Sequence, residues 1–337
     1  MSNNPIFVAD IGGTKSLFAL AEKTGDHFQL YEKRYYNNNE YSSGYSVVST
    51  YLQSIRRAEI SNGVFGVAGH VKNNSVFLTN RNWQFDEVQL KKDFGFHTIK
   101  LVNDLEAMTK GVLFLKETDY IGIQKGVPQK DGNICVIAAG TGLGEATAVY
   151  CKGIKDYHVI PGEGGQAGFS AANNIQSDLW NYILETDPGA SIESLLSGSG
   201  LSNIYQYLIK DSASSHPKLN SILEEENSAA EISKRAISGE DEYCKKTVEI
   251  FISIYANEAR NFAFRMLPYG GLFLGGGIAP KIFGENNSTR FLQRKNTFLK
   301  TFLKKSKMEN FLENIPVYLI TSEDTALYGA AAFTEFS

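Results

Sequence analysis

Phe7-Val8-Ala9-Asp10-Ile11-Gly12-Gly13-Thr14, resuming at Leu17-Phe18-Ala19-Leu20, reads as an apolar strand, a glycine turn carrying threonine, and a second apolar strand. The same plan recurs far along the chain in Cys135-Val136-Ile137-Ala138-Ala139-Gly140-Thr141-Gly142-Leu143-Gly144, then Ala146-Thr147-Ala148-Val149. Glycine has no Cβ, so backbone N–H groups can approach a phosphate closely, and threonine adds a hydroxyl donor. Two such hairpins can grip one polyphosphate from opposite sides, which predicts a nucleotide clamp between two lobes. A plain Gly-Gly hairpin explains either turn alone; their recurrence favours the phosphate reading. Gly140, Gly142 and Gly144 do not make a dinucleotide fingerprint. Thr147 stands in the third glycine's place, and a strand comes next where a helix would be needed.

Outward from these turns, strands alternate with helical stretches, the pattern of an α/β fold. Strands are expected at 63–68, 75–79 and 98–102, the last ending at Asn103-Asp104, with a helix over 45–57 and a surface loop over 35–46. A second cycle begins at Asp119, and the chain beyond the second hairpin is mostly helical. Residues 195–208 have amphipathic spacing. So, more clearly, do Val248, Phe251, Ile252, Tyr255, Ala259, Phe262, Ala263 and Met266, which Pro268 and Gly270-Gly271 terminate. Leu272-Phe273-Leu274 is a strand running into Gly275-Gly276-Gly277, with a helix beyond Pro280. Two polar stretches, 211–229 and 285–296, read as surface loops. The last strand, 317–320, precedes Thr321-Ser322-Glu323-Asp324, a capping signal for a closing helix through Ala331.

The chain has 337 residues, enough for two domains of ordinary size, and 42% hydrophobic residues to fill both cores. With 33 Lys plus Arg against 37 Asp plus Glu, the net charge of -4 offers no basic field to nucleic acid or to a membrane. Cys135, Cys151 and Cys244 are scattered, which fits reduced thiols in the cytoplasm rather than a disulfide framework or a zinc site. Met1-Ser2-Asn3-Asn4-Pro5 leads straight into a strand, so neither a secretory leader nor a membrane span is expected.

Four places carry candidate chemistry. Asp10 stands between the first strand and its glycine turn, where a carboxylate could hold Mg²⁺ beside phosphates; a turn aspartate is the plain alternative. Asp104 comes after a strand's carboxyl end, where it could accept the proton of an attacking hydroxyl; taken alone, a helix N-cap before Leu105-Glu106 is the favoured reading. Pro161-Gly162-Glu163-Gly164-Gly165-Gln166 and Ser191-Ile192-Glu193-Ser194 supply acids and an amide of the kind that neighbouring sugar hydroxyls require, unless they are loop and capping residues.

Taken together, these residues resemble the bacterial-type glucokinases of the sugar kinase, heat-shock chaperone and actin superfamily, over essentially the whole chain. The likeness rests on Asp10-Ile11-Gly12-Gly13-Thr14, Thr79-Asn80 with Trp83, Asn103-Asp104, Gly140-Thr141-Gly142-Leu143-Gly144, Pro161-Gly162-Glu163-Gly164-Gly165, Glu193 with Leu196-Ser197-Gly198, Gly275-Gly276-Gly277-Ile278-Ala279-Pro280, and Ile315-Pro316-Val317-Tyr318. The resemblance implies a two-domain actin-like ATPase (ribonuclease H-like) α/β fold. A small domain, 1–109 completed by a C-terminal helix within 319–337, and a larger helix-rich domain, 110–318, would flank a cleft that closes on the sugar. It implies Asp104 as the base on the sugar 6-hydroxyl and Asn103, Glu163, Gln166 and Glu193 at the sugar. Asp10, Gly12, Gly13, Thr14, Gly140, Thr141, Gly142, Gly276 and Gly277 would hold the nucleotide, with Asp10 at the metal. The implied reaction is ATP plus D-glucose giving ADP plus glucose 6-phosphate with Mg²⁺, in a cytoplasmic protein that is a homodimer as its relatives commonly are, binding neither nucleic acid nor membrane.

The family usually has histidine where this chain has Gln166, which keeps a donor and an acceptor but loses a titrating ring. After Val67, Ala68-Gly69-His70 lacks the Pro-Ile of many relatives, and no cysteine cluster for zinc is present. Two alternatives keep the same fold: a kinase for another hexose or an amino sugar, and a non-catalytic sugar-sensing regulator. The regulator would need a DNA-binding module, for which the sequence before Asp10 leaves no expected room.

Overall fold

The computed structural model describes residues 4–55, 60–78, 81–212, 217–305 and 307–335. Thr79-Asn80 and the end of the helix expected over 45–57 lie outside them. In chain order the elements are β1 (Ile6–Ile11), β2 (Lys15–Thr24), β3 (His27–Asn37), α1 (Gly44–Ser54), β4 (Asn62–Val67), β5 (Val71–Lys72), β6 (Ser75–Leu78), β7 (Trp83–Asp86), α2 (Glu87–Phe94), β8 (Thr98–Asn103) and α3 (Asp104–Gly111). Then come β9 (Tyr120–Gln124), β10 (Ile134–Ala139), β11 (Leu143–Cys151), β12 (Asp156–Gly162), α4 (Asn174–Thr186), α5 (Gly198–Ile209), α6 (Ser228–Ser238) and α7 (Glu242–Met266). The chain closes with β13 (Gly271–Gly275), α8 (Ala279–Phe283), α9 (Thr289–Phe302), α10 (Glu309–Asn314), β14 (Val317–Ile320) and α11 (Thr325–Ala332).

Contacts divide the chain into two units, one of residues 1–119, 151–161 and 322–337, the other of 120–150 and 162–321. The first is built on a five-stranded sheet in the order β3-β2-β1-β4-β8. β1 and β2 form the expected antiparallel hairpin, with Ile11 opposite Ser16, while β1, β4 and β8 run parallel. Alternation along the strands feeds two cores. Phe7, Ala9, Ile11 and Phe65 pack with Val47 and Tyr51 of α1 and Leu90 of α2, whereas Val8, Leu17 and Val64 pack with Ala107 of α3 and Ala326, Leu327 and Ala330 of α11. The sheet therefore has helices on both faces. α11 and α3 approach so closely that a Cβ on Gly329 would stand 1.7 Å from Ala107 O, and one on Gly111 1.8 Å from Thr325 O. The C-terminal helix thus completes the unit that the N-terminal strand begins.

In the second unit the strands run β11-β10-β13-β14-β9, again an antiparallel glycine hairpin beside parallel neighbours. One core fills it, centred on the 25-residue α7, whose Phe251, Tyr255, Ala259 and Phe262 are buried. The Tyr255 hydroxyl donates to Ile137 O of β10 at 2.8 Å and ties that helix to the sheet.

Three sequence expectations need correction. The polar 211–229 stretch is not only loop: Ile222 is fully buried and α6 starts at Ser228. Residues 285–296 include the first turns of α9, held by Phe291, Phe298 and Phe302, a seven-and-four spacing that the surrounding polar residues hide. Asn38, inside the expected 35–46 loop, is fully buried at the end of β3. Among the described residues no helix is long and apolar enough to cross a membrane.

Candidate functional site

At the carboxyl ends of β1 and β8 the first unit gathers Asp10, Asn103 and Asp104. Open α/β sheets bind ligands at this edge. Asn103, not Asp104, caps α3: its Oδ1 accepts from Leu105 N at 2.9 Å and Glu106 N at 3.2 Å, and Glu106 Oε2 accepts from Asn103 N at 3.2 Å. The capping alternative for Asp104 is thereby corrected; Asp104 is the first residue of the helix, with Oδ1 accepting from Leu105 N at 2.9 Å. The cap occupies the Asn103 side-chain oxygen, and its Nδ2 donates to Gly69 O at 3.1 Å, so among the described residues one amide proton has no acceptor. Burial, and then the negative charge of Asp104, push the Asp10 carboxyl up to about 7, against the pull of Lys15.

The turn after Asp10 is shaped from below by two residues that sequence reasoning did not single out. Asn38 donates its own N–H to Thr14 O at 2.9 Å and its Nδ2 to Gly12 O at 2.8 Å, and its Oδ1 accepts from Ser16 Oγ at 2.8 Å. Arg81 donates to Gly13 O, to Asn38 O at 2.8 Å and to the Asn39 side chain, with its guanidinium 5.3 Å from the Trp83 ring centre. All three turn carbonyls, of Gly12, Gly13 and Thr14, are thus spoken for on one side. The Asn37-Asn38-Asn39 run carries no signal for this beyond its polarity, and Arg81 gives none except its place two residues before Trp83.

In the second unit the Gly140-Thr141-Gly142 turn joins β10 to β11, with Gly140 N donating to Gly142 O at 2.8 Å. The Gly275-Gly276-Gly277 turn at the end of β13 lies against it. Gly276 has φ +82°, a Cβ there would stand 2.2 Å from Ala139 O, and Ile278 N donates to that same carbonyl at 3.2 Å. On the other flank, Glu193 Oε2 accepts from Leu143 N at 2.8 Å and Glu193 Oε1 accepts from Gln166 Nε2 at 3.3 Å. A Cβ on Gly142 would meet Glu193 Oε2 at 2.5 Å. Two of the candidate sugar residues, Gln166 and Glu193, therefore sit with the second glycine turn, while Glu163 is exposed at the head of the short helical turn 164–166.

These donor sets suit a phosphate and a hard cation. Mg²⁺ is commonly held by only one or two carboxylates together with substrate phosphates and water. Asp10 offers such a carboxylate, half-buried and crowded by a second negative charge that a cation would offset. Cys135, Cys151 and Cys244 form no disulfide.

The family model for glucokinase matches residues 7–336. The glucokinase of Nostoc punctiforme is 33% identical over 342 residues, covering 97% of each chain. Among solved structures, a glucokinase from an Antarctic psychrotroph superposes with a TM-score of 0.81 at 29% identity over 99% of both chains. A ROK family glucokinase from Streptomyces griseus, solved in complex with glucose and AMPPNP, shares the fold at a TM-score of 0.64 and 16% identity over 98% of both. The fold is thus the α/β fold of these sugar kinases, consistent with the actin-like ATPase class, and on a match that runs nearly from end to end the chain belongs to the glucokinase family.

Proposed function

We propose that the protein phosphorylates D-glucose at its 6-hydroxyl with ATP, releasing ADP and glucose 6-phosphate. The observation that carries this reading is the position of Asp104: in a chain of this family it stands at the carboxyl end of β8, relieved of capping by Asn103. Its carboxylate takes the hydroxyl proton as the sugar oxygen bonds to the γ-phosphorus, and the bond to the bridging oxygen breaks with its electron pair leaving on ADP. Asn103, Glu163, Gln166 and Glu193 hold the sugar hydroxyls. The N–H groups and hydroxyls of Gly12, Gly13, Thr14, Gly140, Thr141 and Gly142 hold the phosphates, and Gly276 and Gly277 lie along the adenosine. Asp10 would hold Mg²⁺, which when bound neutralises charge on the phosphoryl oxygens.

In this reading residues 1–109 with the 319–337 helix form the smaller domain of an actin-like ATPase and 110–318 the larger, helix-rich one. The contact division supports it in outline, setting 110–119 and 151–161 with the first unit. A cytoplasmic homodimer is part of the same proposal, and sedimentation of the purified protein tests the dimer.

Asp104→Asn keeps the size of the side chain and loses the base. Turnover should fall roughly 10²- to 10⁴-fold while glucose still binds in calorimetry. Unchanged turnover would remove Asp104 from the mechanism. A second reading, phosphorylation of another hexose or an amino sugar, draws on Gln166. One of its two amide protons is given to Glu193, which leaves a second donor and the carbonyl acceptor for substrate hydroxyls. ADP release measured across glucose, mannose, fructose, galactose and glucosamine ranks the two, and glucose should give the highest kcat/KM.

A further inference from the structure

Two acids in the second unit take no part in the chemistry above. Glu145, on β11, is 5% exposed and Glu258, on α7, is 6% exposed. One cation serves both: Arg265 Nη2 donates to Glu258 Oε1 and lies 3.7 Å from Glu145 Oε2. Glu258 also accepts from Asn261 Nδ2 at 3.4 Å, whereas Glu145 Oε1, fully buried, has no hydrogen-bond partner among the described residues. Two buried carboxylates with one guanidinium leave an excess negative charge out of water, and the orphan oxygen lacks a donor. The two acids interact with each other by charge and hydrogen bonding, so one shared proton removes the excess charge. Burial and then the Glu258 charge accordingly raise the Glu145 carboxyl to about 7, with Arg265 opposing.

The loop that carries Glu163 and Gln166 is laid directly on this carboxyl. A Cβ on Gly164 would stand 2.2 Å from Glu145 Oε2 and 2.6 Å from its Cδ, and one on Gly165 would stand 2.2 Å from Leu143 O. Leu143 is also the residue whose N–H holds Glu193. Glu145 is therefore one contact from the residue after Glu163 and two residues from the anchor of Glu193.

We propose that Glu145 is a positioning residue for the sugar loop: it shares a single proton with Glu258, and the loop keeps Glu163 and Gln166 in binding geometry only while that proton is present. The inference rests on the reading that Glu163 and Gln166 bind the sugar. Charged and titratable groups reach Glu145 from each element around it. α7 contributes Glu258, Arg265 and Tyr255, and β10 contributes Cys135. Burial raises the Tyr255 hydroxyl, and it pushes the Cys135 thiol up to about 12, so neither changes charge near neutral pH. Loss of the shared proton places a second negative charge beneath the loop backbone, next to the acid that must accept from the sugar.

The test is the glucose KM and kcat of the full chain from pH 5.5 to 8.5, for the wild type, Glu145→Gln and Glu163→Gln. In the wild type KM should rise roughly five- to tenfold as pH passes 7, with kcat changing less, because binding geometry rather than the base is altered. Glu145→Gln keeps the shape and donates permanently toward Glu258, so its KM should stay low and flat across the same range. A wild-type KM that does not change with pH overturns the proposal by itself, even should the variant fail to fold. The same holds if Glu145→Gln tracks the wild-type profile while Glu163→Gln weakens glucose binding, an outcome that leaves the sugar-site reading standing. Glucose affinity unchanged in Glu163→Gln would instead sink the sugar-site reading and this inference with it.

Discussion

Single residues decide how the first glycine turn is presented. Asn38 is fully buried and satisfies Gly12 O and Ser16 Oγ at once. Asn38→Ala would leave both without a partner, at about 1–3 kcal/mol of stability. With its support gone, the turn should hold phosphate less well, and the ATP KM should rise roughly tenfold while the glucose KM stays put. An unchanged ATP KM would detach Asn38, and with it the shape of this turn, from nucleotide binding. Legibility at this scale is uneven. The acid at Asp104 can be read from its place after a strand, yet Asn and Asp cap helices about equally well, so only the capping bonds tell adjacent Asn103 and Asp104 apart. Asn38 is hidden because a run of three asparagines has the composition of a solvated loop, and only pairing of β2 with β3 brings the middle one under the turn.

At the scale of elements, both glycine hairpins are legible because apolar runs on each side of the turn fix the pairing, as the observed registers of Ile11 with Ser16 and Ala139 with Leu143 bear out. The glycines within them do not all serve the same end, which sequence alone does not reveal. A Cβ on Gly142 would stand 2.5 Å from Glu193 Oε2 and would push that carboxylate off Leu143 N, whereas a Cβ on Gly140 would meet nothing within 4 Å. Gly140→Ala should therefore leave the melting temperature nearly unchanged and, if the proposed phosphate site is right, raise the ATP KM by filling that open space. Gly142→Ala should lower the melting temperature and weaken glucose as well, because Glu193 must give up Leu143 N. Equal effects of the two substitutions on the ATP KM and on melting would mean that the turn's glycines serve packing alone. The helices α6 and α9 are the elements least legible: three phenylalanines, Phe291, Phe298 and Phe302, anchor α9, and the polar residues between them dominate any short window.

For the whole molecule the distribution of buried acid sets the response to pH, and each unit carries a share of it. Asp10 in the first and Glu145 in the second are raised by burial to about 7. The folded chain thus holds protons that an unfolded chain releases near pH 4, and the stability they contribute is complete below that pH and lost as pH climbs through 7. Other carboxylates act in the opposite sense. Asp86 is lowered by the Gln89 N–H, Glu231 by Arg235 and Glu323 by the Tyr35 hydroxyl, so their contribution is present above the ordinary carboxylate range and is lost on acidification. The two sets together place the stability maximum near pH 5, between the acid loss and the neutral loss. In metal-free buffer the melting temperature should fall by on the order of 5 °C from pH 5.5 to 8, and Glu145→Gln should flatten part of that slope. The buried thiols add nothing to this slope, since burial pushes Cys135 and Cys244 up to about 12. A melting temperature that is level or rises over that interval would show that the two acids are ionised in the folded chain, and that the cations beside them, Lys15 and Arg265, outweigh the cost of taking their carboxylates out of water.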